Sequence, residues 1–248
     1  MDSHFYSEIS DLSTVRQLPF LVVLPGMDGT CKLLDNFHSE IGKTCRVLPI
    51  SYPTDRVMDY AELTAYVTAR LPQTPFIILG ESFSGPIAID VAVSQTNCQG
   101  LVLVSTFAKA PAPRFLLPFT RLFHPKLPLK YFTSLVLMSG QGSVAEQNAL
   151  QQTIASVPAR ILQKRLSFVL KVNKINMLRR VKVPVLCLAG RFDRLVGLRH
   201  ARRIAATAPH CTLHEMAAPH MLLETHAAEA SALIHKFAVS CATASSNL

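Results

Sequence analysis

Phe76-Ile77-Ile78-Leu79-Gly80-Glu81-Ser82-Phe83-Ser84-Gly85-Pro86 is the stretch on which the reading of this chain turns. The unbroken apolar run Phe76 to Leu79, opened by Pro75, predicts a strand buried on both faces. Phe83 to Gln95 is apolar nearly all round and predicts a buried helix. Between the two stands Gly80-Glu-Ser-Phe-Ser-Gly85. A strand passing directly into a helix through small residues around a serine is the setting of a nucleophile elbow, a tight turn that lifts the serine hydroxyl off the end of the sheet. Small neighbours are needed because the turn crowds backbone against backbone and takes φ values that side chains resist. Ser84 stands where glycine usually closes the pattern, with Gly85 next to it, and serine is nearly as small.

A serine hydroxyl is a poor nucleophile until a base accepts its proton, so a histidine held by a carboxylate is required downstream. Val185 to Leu188 predicts a strand, and Asp193 follows it in the loop Ala189-Gly-Arg-Phe-Asp193. Cys211 to Met216 predicts the next strand, and His220 follows it in Ala217-Ala-Pro-His220. The chain order serine, acid, histidine is that of a nucleophile-elbow fold. Rivals fit less well, since His214 and Glu215 lie within a predicted strand and His226 and His235 on the final predicted helix. Arg191 and Arg194 flank Asp193 and are expected to help keep it ionised. Backbone N–H donors for a tetrahedral intermediate are expected at Phe83, on an unpaired helix N-terminus, and at Met27 in the loop Leu24-Pro-Gly-Met-Asp-Gly-Thr30.

Around these motifs, short apolar runs alternate with helical patterns. The runs are Phe20 to Leu24, Arg46 to Ile50, Phe76 to Leu79, Leu101 to Val104, Val185 to Leu188 and Cys211 to Met216. Helices are predicted over 59–71, with Asp59 as N-cap and Glu62 completing a capping box, over 198–207 and over 222–238. This rhythm predicts an α/β chain with a mostly parallel central sheet flanked by helices. It breaks between 109 and 180, where prolines and then helical patterns replace strands. The division expected is a core of 1–108 and 181–248 with an inserted helical cap of 109–180, one domain overall.

At 248 residues, with 49% hydrophobic and 17% charged residues, the chain can bury one large core and does not read as disordered. Met1 to Ser10 lacks the pattern of a secretory leader, no apolar run is long enough for a transmembrane segment, and a cytoplasmic location is expected. The six cysteines are scattered, with no Cys-x-x-Cys pair, and read as reduced structural thiols; no metal-ligand spacing is visible among the histidines.

With these residues in view, the chain resembles the α/β-hydrolase superfamily from about Leu18 to Phe237. It is most similar to bacterial esterases and lipases whose elbow reads Gly-Glu-Ser-Phe-Ser-Gly. It is more distantly similar to the pimeloyl-acyl-carrier-protein methyl esterases of biotin synthesis, whose elbow usually carries Trp and Leu where this chain has Glu81 and Phe83. The resemblance implies ester or thioester hydrolysis with no cofactor, organic or metal. Ser82 separates the chain from relatives that place an aspartate at the elbow.

The net charge of +9 is unevenly placed: 109–180 holds 12 basic residues against one acid, Glu146, for +11, leaving −2 elsewhere. The bulky residues Phe115, Leu116, Leu117, Phe119, Leu122, Phe123, Tyr131, Phe132, Leu135, Val136 and Leu137 share the segment. An apolar cap lining would suit a small-molecule acyl ester. A basic rim including Lys164, Arg165, Arg179 and Arg180 would attract an anionic carrier, whether acyl carrier protein or CoA, or an anionic lipid surface. No nucleic-acid-binding motif accompanies the charge. The readings left open are a serine carboxylesterase, a carrier-protein methyl esterase, a lysophospholipase or thioesterase, and a non-catalytic binding module on the same fold.

Overall fold

The structure is a computed structural model that describes residues 18–122 and 136–245. Strands β1 (Phe20–Leu24), β2 (Val47–Pro49), β3 (Phe76–Glu81), β4 (Cys98–Val104), β5 (Val185–Gly190) and β6 (Cys211–Met216) form one sheet in the order β2-β1-β3-β4-β5-β6. Every strand pairing within this sheet is parallel. The chain steps outward from β1 to β2 and then returns to the other side of β1 with β3. The loops after β1 and β3 therefore diverge and leave a crevice at the C-terminal edge of the sheet, where ligands bind in such folds.

Alternate strand residues pack into two apolar layers, which is why the strands read as continuous apolar runs. Val22, Leu24, Ile78, Leu103 and Cys187 join a layer with the helices α2 (Tyr60–Thr68), α3 (Gly85–Ser94) and α7 (Leu198–Thr207). Leu21, Val23, Ile77, Leu79, Val104 and Leu188 join the other with α1 (Asp35–Ile41), α8 (Leu222–Thr225) and α9 (Ala227–Ser245). Phe76, Ile77, Ile78 and Leu79 are each fully buried. At about 1.5–3 kcal/mol per large side chain, β3 alone is a major anchor of the core.

Asp59 caps α2 as expected, accepting from the Ala61 and Glu62 N–H groups while the Glu62 carboxylate accepts from the Asp59 N–H. Other boundaries move. The second strand is only Val47–Pro49, a short edge. The helix expected over 222–238 is two, α8 and α9, interrupted at His226. The short helix α1 went unread in the sequence. Among the described residues no disulfide forms; five of the six cysteines are buried and Cys211 is half-buried. Among the described residues no helix is long and apolar enough to cross a membrane.

Between β4 and β5 the described residues form a 3-10 stretch (Arg114–Leu122) and the helices α4 (Val144–Ser156), α5 (Ala159–Val169) and α6 (Ile175–Leu178). Lys109 and Asn173 form an antiparallel bridge at the neck of this segment. Hydrogen bonds from Ala110 N to Val172 O (2.9 Å) and from Lys174 N to Ala108 O (2.6 Å) close it. Beyond the neck, Lys174 pairs with Asp90 of α3 at 2.5 Å and α6 packs on the core. Met1 to Ser10, Phe123, Lys126, Lys130, Tyr131, Phe132 and Leu135 lie outside the described residues, as do the side chains of Phe119, Arg121 and Leu122.

Candidate active site

Ser82 sits where β3 turns through a 3-10 turn (Ser82–Ser84) into α3, with φ +46°, a left-handed value rare for serine. The turn is tight. A Cβ at Gly80 would lie 2.7 Å from both the Ala88 Cβ and the Ser84 carbonyl oxygen, and one at Gly85 would lie 2.1 Å from Thr106 Oγ1. Thr106, just beyond β4, donates to the Ser82 carbonyl. The strained conformation is therefore held from both sides.

The loops after β5 and β6 bring the other two residues to the same place. Arg191 N donates to Met216 O at 2.8 Å and Phe192 N to Ala218 O at 3.0 Å, binding the loops together. A Cβ at Gly190 would meet the Ala218 carbonyl oxygen at 2.2 Å, so close approach depends on glycine. Ser82 Oγ lies 2.9 Å from His220 Nε2, and His220 Nδ1 lies 2.9 Å from Asp193 Oδ2. The His220 and Asp193 side chains are 6% and 4% exposed, so this chain of hydrogen bonds is shielded from water.

The second Asp193 oxygen accepts from Leu195 N at 2.8 Å and Val196 N at 2.9 Å. Burial pushes the Asp193 carboxyl up, but the His220 imidazole, its hydrogen bond and these two amides outweigh burial and hold it below the usual value. The expectation that Arg191 and Arg194 do this is corrected: both are exposed, and local amides and the imidazole hold the charge instead.

Met27 and Phe83, the predicted N–H donors, border the same pocket as Ser82 and His220. Among the described residues no protein acceptor engages either N–H. Ser84 and two tyrosines, Tyr52 and Tyr60, hold this corner. Ser84 Oγ donates to the Pro25 carbonyl and so must accept from the Tyr52 hydroxyl, 2.5 Å away. The departure from glycine at Ser84 thus ties the elbow to the loop after β1. Tyr60 stacks on Phe83 with ring centroids 4.9 Å apart and donates to the Phe83 carbonyl at 3.2 Å.

Glu81, beside the serine, and Glu224 of α8 are buried carboxyls that border the same pocket as Ser82 and Asp28. Burial, then the Asp28 carboxylate, push the Glu81 carboxyl up to about 7. Burial and then Glu81 hold Glu224 well above the usual range.

Above Ser82 lies a cavity of about 350 Å³. Its walls are Leu33, Phe83, Phe107, Leu137, Leu150, Ile154, Leu162, Leu166, Val169 and Met221, with carboxyls only near the serine. Of the apolar residues flagged in the sequence, Val136 and Leu137 line it, whereas Phe115 is 73% exposed and faces away. Most of the roof comes from α4 and α5. Arg165 of α5, expected on a basic rim, is instead 3% exposed.

A model of the family described as serine aminopeptidase, S33, matches residues 45–224, a range that includes Ser82, Asp193 and His220. Phytyl ester synthase 2, chloroplastic, of Arabidopsis thaliana is 35% identical over 95 residues, which take in 35% of this chain and 14% of that longer protein. A hydrolase from Oleispira antarctica superposes with a TM-score of 0.77 at 14% identity, over 89% of this chain and 90% of that one. An esterase from Rhodococcus sp. ECU1013 gives 0.74 at 18% identity (90% and 91%), and MenH from S. aureus 0.70 at 19% (90% and 94%). At such identities the likeness to the solved structures is one of fold.

Proposed function

The chain has the α/β-hydrolase fold and belongs to the serine aminopeptidase, S33, family, and from that premise we propose that it is a serine esterase cleaving apolar acyl esters through an acyl-enzyme. Ser82 Oγ attacks the acyl carbon while His220 Nε2 takes its proton, and the carbonyl oxygen becomes an oxyanion facing the Met27 and Phe83 N–H groups. The C–O bond to the alcohol then breaks, the alcohol leaving with the proton from His220. Water, deprotonated by the same imidazole, releases the acid and restores the serine. Asp193 holds the imidazole with Nε2 toward the serine.

The single observation that carries this reading is the 2.9 Å approach of Ser82 Oγ to His220 Nε2 at the floor of an apolar cavity. The family's name includes amide cleavage by the same acyl-enzyme, and the apolar walls favour a hydrocarbon acyl group. The test is a panel of p-nitrophenyl esters from acetate to laurate, run beside an aminoacyl p-nitroanilide. The reading expects kcat/KM to rise with acyl length to an optimum; activity on the anilide alone would overturn it. The Arabidopsis relative is named for ester synthesis, in which an alcohol in place of water would take the acyl group, and adding a long-chain alcohol to the assay separates the two outcomes.

A second reading concerns what carries the acyl group. Lys109, Lys164, Lys171, Arg179 and Arg180 are exposed, and such a basic surface suits an acidic acyl carrier or an anionic lipid. Added salt should then lower kcat/KM for a carrier-bound ester and leave p-nitrophenyl esters unchanged. Equal effects on both would count against it.

A further inference from the structure

Among the described residues Arg165, at 3% exposed, is the least accessible charged side chain that the chemistry above does not use. It projects from α5 in the roof, yet its guanidinium reaches the loop after β1. Nη1 donates to the carbonyls of Met27 at 2.9 Å and Asp28 at 2.7 Å, and Nη2 donates to the Pro53 carbonyl at 3.0 Å. The guanidinium carbon lies 5.7 Å from the Tyr52 ring centre and 5.9 Å from that of Phe83. Gly29, with φ +78°, makes room: a Cβ there would stand 2.5 Å from Nη1. Two of these contacts fall on the proposed oxyanion donors themselves, Met27 and Phe83, and a third on Asp28, which follows Met27.

We propose that Arg165 is a positioning residue that sets the Met27 N–H toward the oxyanion and makes its alignment depend on the seating of the α5 roof helix. A peptide N–H and the preceding carbonyl move as one plane. The Met27 N–H belongs to the peptide whose carbonyl is Gly26's, and Arg165 grips the next two carbonyls, which fixes the loop's path on the far side. On the near side, Ser84 holds the Pro25 carbonyl. The donor is therefore pinned from the core on one side and from the roof on the other. A planar fork suits this task, because it spans three carbonyls at once; an ammonium on a flexible stem cannot.

This proposal rests on the esterase reading, and its test separates the two. The variants are Arg165→Lys and Arg165→Met. The probes are a p-nitrophenyl ester, a long-chain trifluoromethyl ketone whose serine hemiketal carries an oxyanion, and the methyl ketone of the same length, which binds without forming one. The proposal expects kcat to fall about 10- to 100-fold in Arg165→Lys with KM within about three-fold. The trifluoromethyl ketone should weaken by the same factor as kcat/KM while the methyl ketone binds as before. A thermal midpoint near wild type should accompany this in Arg165→Lys, with a larger kinetic loss in Arg165→Met. Unchanged kinetics in both variants would overturn it. So would parallel losses for both ketones that track the thermal midpoint, or the failure of both variants to fold, each of which makes the residue structural only. A wild-type protein that neither turns over esters nor reacts at Ser82 with a fluorophosphonate would instead sink the esterase reading itself.

Discussion

The floor and the roof of the cavity are built by opposite rules. On the floor, polar atoms are fixed at hydrogen-bond distance by loops that are bonded to one another: Ser82, His220 and Asp193 meet at 2.9 Å, and Ser84 and Thr106 hold the turns beneath them. In the roof, Leu150, Ile154, Leu162, Leu166 and Val169 offer surface with no directional bonding. Directional contacts fail when one atom moves, whereas apolar contacts degrade in proportion to the volume changed. The floor, with the Arg165 fork that reaches down to it, should therefore govern whether a bond is cleaved, and the apolar side chains of the roof which acyl group is accepted.

The sharpest way to break this division is at the floor. Ser82→Ala should lower kcat on p-nitrophenyl esters by at least about 10³-fold, and by the same factor at every acyl length. A loss that varied with acyl length would show that the floor also selects the substrate. The converse change is Ile154→Trp in α4, which shrinks the cavity. It should reduce kcat/KM for long acyl esters by roughly 10-fold or more and leave acetate esters within about two-fold, as read from the same panel. Equal losses across the panel would merge roof and floor.

Smaller changes sharpen the picture of how the floor is tied. Ser84→Ala removes the donor to Pro25 and leaves the Tyr52 hydroxyl without its buried acceptor. It should cost about 1–3 kcal/mol in urea unfolding and lower kcat more than it raises KM. Glu81→Gln addresses pH. A carboxyl raised in the fold from 4.5 to about 7 stabilises the native state fully below its unfolded value, and that contribution is lost as pH rises through about 7. Between pH 5 and pH 8 the wild type should therefore lose stability relative to Glu81→Gln, on the order of 1 kcal/mol because Glu224 retains part of the titration. Parallel stability curves would show that the pair does not titrate with folding.

Much of the floor could be read from the chain because its parts are local. A buried strand entering a helix through Gly80-Glu-Ser-Phe-Ser-Gly85, and two further strands each followed by a loop, leave few places for Ser82, Asp193 and His220 to go. A mostly parallel sheet was legible in the same runs, whereas its strand order was not. What escaped notice depends on pairings across long stretches of sequence. Arg165 looks like any solvated helical arginine until the loop after β1 is laid beneath it, and nothing near Ser84 reveals that its hydroxyl meets Pro25. The burial of Glu81 and Glu224 at one corner of the pocket likewise appears only in the fold. The helix α1 was missed because a seven-residue segment carrying Asn36 and His38 has weak local preference and is held by burying Phe37 and Ile41.

Reaction with a fluorophosphonate, followed by intact-protein and peptide mass spectrometry, tests most directly whether the His220–Ser82 contact makes a nucleophile. The account predicts one adduct on the wild-type protein, carried by Ser82, much slower labelling in His220→Ala, and none in Ser82→Ala. A folded wild-type protein that stays unlabelled, or equal labelling of the Ser82→Ala variant, would contradict it.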